Sequence, residues 1–131
     1  MRARDALGRP VPAGDPTAAP PVPEVALPAA QAISLAQQLL DGGRAFAAHE
    51  VLEASWKAAP AAERAVWQGL AQVCVGVTHL QRGNLTGAVR LLRRGAGNLR
   101  SHPVTGQALL AAAAVEAGDL ELPTITLSGP G

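Results

Sequence analysis

The chain has 131 residues, of which 48% are apolar, 16% are charged and only 2% are aromatic. This length fits one domain and excludes a second catalytic domain, a long solenoid or a doubly wound sheet. The formal net charge of +1 provides no strong overall field that would recruit DNA or an anionic membrane. The single cysteine, Cys74, excludes an internal disulfide framework and a cysteine-based zinc knuckle.

The first 28 residues form an arm that holds seven of the eleven prolines. Because proline has no backbone donor and a fixed φ, neither a helix nor a sheet propagates easily here. The arm also has little apolar mass to offset the entropy of ordering. We therefore predict that residues 1–28 are disordered or polyproline-like. No long apolar run follows the arginines near the N-terminus, which argues against a secretory signal peptide and for a cytoplasmic protein.

Five helices are predicted between residues 29 and 118, because apolar residues recur there at helical spacing between clear breaks. The run Asp41-Gly42-Gly43 ends the first helix, and Pro60 suits the first turn of the third. Gly83 and Asn84 are typical of the residues that end one helix and cap the next. We place the five helices at about 29–40, 44–58, 60–82, 85–99 and 103–117.

The third helix is the most apolar segment and has no charged residue from position 65 to position 81. These 17 residues include three glutamines and a histidine, whereas a membrane-spanning helix needs roughly 20 mostly apolar residues. We predict the central helix of a soluble bundle, which its neighbours cover on most sides. The tail, residues 119–131, alternates weakly, so we expect it to be extended and to lie against the helical domain of residues 29–118.

An internal similarity at a spacing of 40 residues relates the first helical hairpin to the hairpin of the third and fourth helices. Each unit consists of a helix, a glycine turn and a second helix with an alanine near the turn, at Ala48 and Ala88. Tetratricopeptide units use the same device, although their period is 34 residues and at least three repeats are usual. The predicted fold is therefore an all-α bundle of about five helices, built from tetratricopeptide-like antiparallel hairpins.

A stripe of polar and aromatic side chains runs along the second helix. Its members fall within an arc of about 80°, and they are Phe46, His49, Glu53 and Trp56. Glu50 lies at the edge of this arc. Because His49 and Glu53 are four residues apart, their side chains lie one above the other.

A second stripe runs along the third helix, where Gln68, Gln72 and His79 fall within an arc of about 40°. The rest of this helix is largely apolar, and an unpaired buried polar group costs about 1–3 kcal/mol. These three side chains therefore need polar partners. We expect the two stripes to face each other in a shared interior between the second and third helices.

Three interpretations of this predicted interior compete. It is a buried hydrogen-bond network that sets the helix register, or a pocket for a metal ion or small ligand, or a catalytic site. In the second case His49, Glu53 and His79 would bind a divalent metal ion, with the glutamines behind them. In the third case Glu50 or Glu53 would act as a general base. Glu53 stands where the zinc-protease motif has its second histidine, so that motif is incomplete.

Trp56 and Trp67 are predicted to anchor the core rather than to form a ligand cage. Cys74 lies on the apolar side of the third helix, with no basic residue one turn away that would lower the pKa of its thiol. We expect a buried and inert thiol.

The fourth helix has a basic face. Residues 82–100 hold five arginines and no acidic residue, and four of the arginines fall within an arc of about 120°: Arg90, Arg93, Arg94 and Arg100. The first interpretation is a solvated face of an amphipathic helix. Nucleic acid is an unlikely partner, because no aromatic residues lie between the arginines to stack on bases. A protein partner would also fit this face, as would the acidic residues Glu116, Asp119 and Glu121 of the same chain.

Three blocks of the sequence, FAAHEVLEASW, QGLAQVCVGVTHLQRGN and GAVRLL, resemble the bacterial and archaeal family known as domain of unknown function family 309. The resemblance extends from about residue 35 to residue 99 and leaves out the proline-rich arm. It implies a small all-α bundle, and the family has no settled activity. The positions typical of its motif overlap the two stripes, and they are His49, Glu50, Glu53, Trp56, Gln68, Gly69, His79, Gly83 and Asn84.

We therefore predict a helical binding module with a polar pocket between the second and third helices. Its ligand would be a metal ion, a small polar molecule or a protein partner, and the sequence specifies no oligomeric state. One alternative is a metal-assisted hydrolase that uses Glu50 or Glu53 as its base. The other is a structural scaffold with a buried polar network. The predicted pocket residues are His49, Glu50, Glu53, Trp56, Gln68, Gln72 and His79.

Overall fold

A computed structural model describes residues 3–130 and contains five α-helices and one very short two-stranded sheet. The helices are α1 (Ala29–Asp41), α2 (Ala45–Ala58), α3 (Arg64–Gln81), α4 (Leu85–Leu99) and α5 (Pro103–Glu116), with a 3-10 turn at Ala61–Glu63 before α3. The predicted all-α bundle of five helices is thus confirmed. None of the helices in this part of the chain combines the length and the apolarity that crossing a bilayer requires.

Local side chains explain where the helices begin and end. Gly83, with a φ of 79°, closes the end of α3, and the side chain of Asn84 accepts a hydrogen bond from the Gly87 amide at the start of α4. The His102 ring accepts from the Val104 amide in the same way, and Pro103 occupies the first turn of α5. The breaks predicted from these residue types are therefore confirmed.

Successive helices pack side by side, so that α3 lies between α2 and α4 in the middle of the bundle. The core is built mainly from aliphatic residues, with Trp67 as a buried aromatic side chain, as the low aromatic content requires. Its largest fully buried side chains are Leu52, Leu70, Val73, Cys74, Leu92, Val104 and Ile125.

The interface between α3 and α4 depends on three glycines. A Cβ at Gly95 would lie 2.7 Å from the Gly69 carbonyl oxygen, and a Cβ at Gly76 would lie 3.0 Å from the Leu92 amide nitrogen. Side chains at these positions would collide with backbone atoms of the facing helix. The two helices therefore approach more closely than ordinary side chains allow.

The tail is extended and closes the side of the bundle between α1 and α5. Ile125 and Leu127 are buried in the core. The Gln37 amide donates to the Ile125 carbonyl and accepts from the Leu127 amide, at 2.9 and 2.7 Å. Gln107 of α5 pairs with the backbone of Thr126 in the same manner. The predicted extended tail against the bundle is confirmed for the residues up to 130.

The N-terminal arm follows a defined path, in contrast with its predicted disorder. Residues Ala3–Arg4 (β1) and Pro10–Val11 (β2) pair as antiparallel strands. Arg82 donates from Nε and Nη2 to the Leu7 carbonyl at 3.0 and 2.7 Å, and Arg44 donates to the Pro20 carbonyl at 2.6 Å. Proline removes backbone donors but leaves every carbonyl, so helical arginines satisfy a proline-rich backbone that no sheet would pair. The terminal residues 1, 2 and 131 lie outside the described part.

Candidate functional site

Three ionisable side chains form a ladder along α2. His49 Nε2 lies 2.7 Å from Glu53 Oε2, and Lys57 Nζ lies 2.9 Å from Glu53 Oε1. The hydrogen bond from Lys57 and the charges of His49 and Lys57 outweigh partial burial and lower the pKa of the Glu53 carboxyl. Glu53 is therefore held as a carboxylate whose two oxygens both have partners on the same helix.

Phe46, one turn before His49, is the platform on which the arm rests. The guanidinium groups of Arg4 and Arg82 lie 4.7 and 5.6 Å from the centre of its ring, within the range of cation–π interaction. Gly8 packs directly against this ring, since a Cβ there would lie 2.2 Å from Phe46 Cγ, and its φ of +80° also favours glycine. This contact brings the arm across the predicted stripe of α2.

A cleft of about 510 Å³ separates the rest of the arm from α2. Residues 3–4 and 19–24 of the arm form one wall, and α2 with the residue before it forms the other. The wall made by the arm is rich in proline, whereas the helical wall is polar. Three basic and three acidic side chains line this cleft, namely Arg4, Arg44 and Lys57, and Glu24, Glu50 and Glu53.

Two polar groups in the cleft have hydrogen-bonding capacity to spare. Arg44 Nε is buried and has no hydrogen-bond partner among residues 3–130, although Nη2 of the same side chain is bound to the arm. Glu50 makes no ion pair within the described chain, although basic groups line the same cleft. One buried donor without a partner and one carboxylate without an ion pair thus belong to residues that line the cleft.

The predicted stripe of α3 faces α4, not α2. Asn98 of α4 donates to Gln72 Oε1 at 2.6 Å, and the His79 ring pairs with Asn84 Nδ2 at 3.1 Å. Partial burial and the nearby charges of Arg82 and Arg90 lower the pKa of His79. The prediction that the stripes of α2 and α3 share one interior is therefore wrong for Gln72 and His79.

The predicted metal-binding set is separated by the same geometry. His49 and Glu53 lie together under the arm, while His79 lies at the turn between α3 and α4. No group of three histidine, cysteine, aspartate or glutamate side chains with metal-binding spacing occurs between residues 3 and 130. Gln68 is half-buried on α3, and within the described residues it makes no hydrogen bond to either cluster.

The remaining predictions concern the core. Trp67 is 3% exposed, and its indole donates to Glu63 at 3.3 Å. Trp56 is partly buried and packs against the same cluster, so both tryptophans anchor the core as predicted. Cys74 is fully buried, and burial raises the pKa of its thiol to about 12, which confirms an inert cysteine.

The sequence patterns described above do not include the basic residues of the cleft, Arg4, Arg44 and Lys57. Lys57 was open to prediction, because it follows Glu53 by four residues and continues the ladder. Arg44 and Arg4 had no such signal. Their role depends on the path of the arm, which helical periodicity does not report.

Comparison with known proteins confirms the resemblance seen in the sequence. Residues 33–91 match the model of a family described as Domain of unknown function (DUF309). The matched segment extends from α1 into α4, and it includes the α2 ladder but not the arm. No curated protein and no solved structure shows significant similarity to the chain.

Proposed function

We propose, from the premise that residues 33–91 belong to the DUF309 family, that this protein is a cytoplasmic helical binding module whose site is the cleft between arm and α2. Its ligand is a small molecule that has both an anionic and a cationic group. The volume of about 510 Å³ lies within the range of roughly 300–1,000 Å³ that small-ligand sites occupy.

The observation on which this proposal rests is the pair of free groups on the helical wall. A buried guanidinium Nε–H without a partner is costly, and an anionic oxygen of a ligand would remove that cost. The Glu50 carboxylate, in turn, suits an ammonium group. Arg44 and Glu50 are six residues apart, which corresponds to an axial rise of about 9 Å on a helix, so a ligand that contacts both residues needs its two charges several bonds apart.

The state of Glu53 favours binding over hydrolysis. Both of its oxygens are engaged by His49 and Lys57, and its lowered pKa makes it a weaker base. Its contribution is to hold Lys57 along the cleft and to pair with His49 on the same helix. A purely structural network would not explain why two residues that line one cleft, Arg44 and Glu50, keep a guanidinium Nε and a carboxylate without partners among residues 3–130.

The arm contributes half of this site. Prolines 20, 21 and 23 form an apolar wall with few rotatable bonds, opposite the charged wall of α2. Because the arm lies outside the matched family segment, the helical wall belongs to the family domain and the opposite wall to this chain's own addition. Ligand selection within the site would then depend on the arm.

The test is a titration of the full chain with zwitterions of increasing length, namely glycine, 4-aminobutyrate and 6-aminohexanoate, followed by calorimetry and by NMR. Hexanoate and hexylamine are the singly charged controls. We expect 6-aminohexanoate to bind best, and each control to bind at least about tenfold more weakly, the equivalent of one lost ionic contact.

Two variants place the binding in the cleft. Arg44→Gln should weaken the binding of 6-aminohexanoate but leave the weak binding of hexylamine unchanged. Glu50→Gln should also weaken the binding of 6-aminohexanoate but leave the weak binding of hexanoate unchanged. Arg94→Gln, an exposed arginine of α4, is the matched control. Equal affinity for the zwitterionic and the singly charged probes, or binding that neither variant changes, would contradict the proposal.

A further inference from the structure

A second surface lies at the edge of the bundle, where the start of α4 meets the end of α5. A groove of about 430 Å³ runs between these helices. Leu85, Val89 and Val115 form its apolar floor, and Arg90 lies on its rim. Across the groove, Arg93 of α4 is ion-paired with Glu116 of α5, which holds the two walls together.

The charge of this groove selects an acidic occupant. Residues 82–100 contain five arginines and no acidic residue. Of the two arginines in the groove, Arg93 is paired with Glu116, while Arg90 has no carboxylate partner between residues 3 and 130. A ligand that fits must therefore combine apolar side chains for the floor with a carboxylate for Arg90.

The segment Asp119-Leu120-Glu121-Leu122, which follows α5 directly, has that composition. Leu120 is 55% exposed and Leu122 is 50% exposed, two of the most exposed large apolar side chains in the described chain. Neither Asp119 nor Glu121 has a basic partner in residues 3–130. Two leucines and two carboxylates are thus presented to solvent immediately after α5.

The segment is held away from the groove of its own molecule. The Asp119 amide donates to the Ala114 carbonyl at 2.9 Å, and Asp119 Oδ1 accepts from the Glu121 amide at 3.1 Å. Farther along, Ile125 is buried against the core. With both of its ends fixed, the segment does not line its own groove but remains ordered for another copy, which lowers the entropy cost of binding.

We propose that two copies of this chain associate through these features, with residues 119–122 of each copy seated in the α4–α5 groove of the other. Groove and segment both lie at the C-terminal end of α5, so a two-fold axis there fills both grooves at once, as an isologous interface requires. Leu120 and Leu122 would cover the apolar floor, and Glu121 would pair with Arg90.

Sedimentation of the full chain over a range of concentrations tests this directly. Because the contact involves few residues on each copy, we expect a weak dimer, with a Kd above about 1 μM. The double variant Leu120→Ser/Leu122→Ser should raise the Kd by at least about tenfold. These leucines are exposed, so their replacement leaves the core intact, which the thermal unfolding temperature will verify.

A charge exchange supplies the sharper test. Arg90→Glu and Glu121→Arg should each abolish dimerisation, since each places like charges in both grooves. An equimolar mixture of the two variants should dimerise again, because both grooves of the mixed dimer then hold opposite charges. Arg100→Glu, at the other end of α4, and Leu110→Ser, on the outer face of α5, are the controls and should leave the Kd unchanged.

Three results would overturn the proposal. A chain that stays monomeric up to about 1 mM has no such interface. A dimer that Leu110→Ser weakens but Leu120→Ser/Leu122→Ser does not weaken uses the outer face of α5. A failure of the charge-exchanged mixture to associate would show that Arg90 and Glu121 are not in contact. None of these results bears on the cleft at the arm.

Discussion

Two regions of the bundle differ in how closely they are packed: the interface between α3 and α4, and the outer face of α2 under the arm. Toward α4, the backbones approach across Gly69, Gly76 and Gly95, and even a methyl group would collide with the facing helix. Between α2 and the arm, long charged side chains surround a cleft of about 510 Å³. The first region has no space for a ligand, whereas the second consists of groups that a ligand could satisfy.

This difference shows how a small domain with few aromatic residues divides its tasks. Close approach of α3 and α4 buries Leu92, Leu99 and Val73 without bulky side chains, and dispersion contacts there compensate for the small size of the core. The outer face of α2 can then carry polar groups, because the α3–α4 interface already buries apolar side chains.

The largest effect is expected from a methyl group in the close interface. Gly95→Ala places a Cβ 2.7 Å from the Gly69 carbonyl oxygen, so it should lower the free energy of unfolding by about 2 kcal/mol. Gly97→Ala, two residues along the same helix, is the matched control, since nothing lies within 4 Å of its Cβ. That variant should raise stability by about 0.5–1 kcal/mol. Urea denaturation measures both, and equal effects of the two substitutions would refute the backbone contact.

The next effect concerns the docking of the arm. Arg82→Ala removes two hydrogen bonds to the Leu7 carbonyl and one of the two cations over Phe46. Because the site is exposed, we expect a modest loss, equivalent to about tenfold faster opening of the arm. Hydrogen exchange at the Asp5 and Ala19 amides, which are bonded within the arm, should accelerate accordingly.

Arg94→Ala is the control for this measurement, because Arg94 is an exposed arginine of α4 that has no bond to the arm. Its exchange pattern should match that of the unchanged chain. If Arg82→Ala leaves the exchange of residues 3–19 unaltered, the arm is held by contacts other than those of Arg82.

The sequence was most informative where a break or a cap has a local cause. Gly83, Asn84 and Pro103 each act within a few residues, so the helix boundaries predicted at these residues agree with the structure to within about one residue. Periodicity also placed Gln72 and His79 on one side of α3. It did not identify which neighbour that side meets, because α3 is covered by both α2 and α4.

Two features depended on long-range contacts and escaped the sequence patterns. A glycine inside a helix ordinarily lowers its stability, yet Gly95 makes a close contact with α3, and only the facing backbone distinguishes the two cases. From its prolines, the arm was predicted to be disordered or polyproline-like. Its order comes from Arg44 and Arg82, which are 24 and 75 residues away from the carbonyls they bind.

The smallest effects on stability are expected from changes in pH, and they differ between the α3–α4 interface and the α2 face under the arm. His79, toward α4, has a pKa below its ordinary value of 6.5, and Glu53, under the arm, has one below its ordinary value of 4.5. In each case the unfolded chain binds protons more readily than the folded chain. Stability is therefore complete above the ordinary pKa and declines as the pH falls through the lowered one.

Two separate windows should result, one beginning near pH 6.5 for His79 and one near pH 4.5 for Glu53. His79→Gln should remove the first decline and leave the second, and Glu53→Gln should remove the second and leave the first. Urea denaturation at several pH values measures both. Because Glu53 is paired with residues of its own helix and His79 with the turn before α4, the two variants should act additively. Non-additive effects would mean that protonation near the start of α4 and protonation under the arm are energetically coupled.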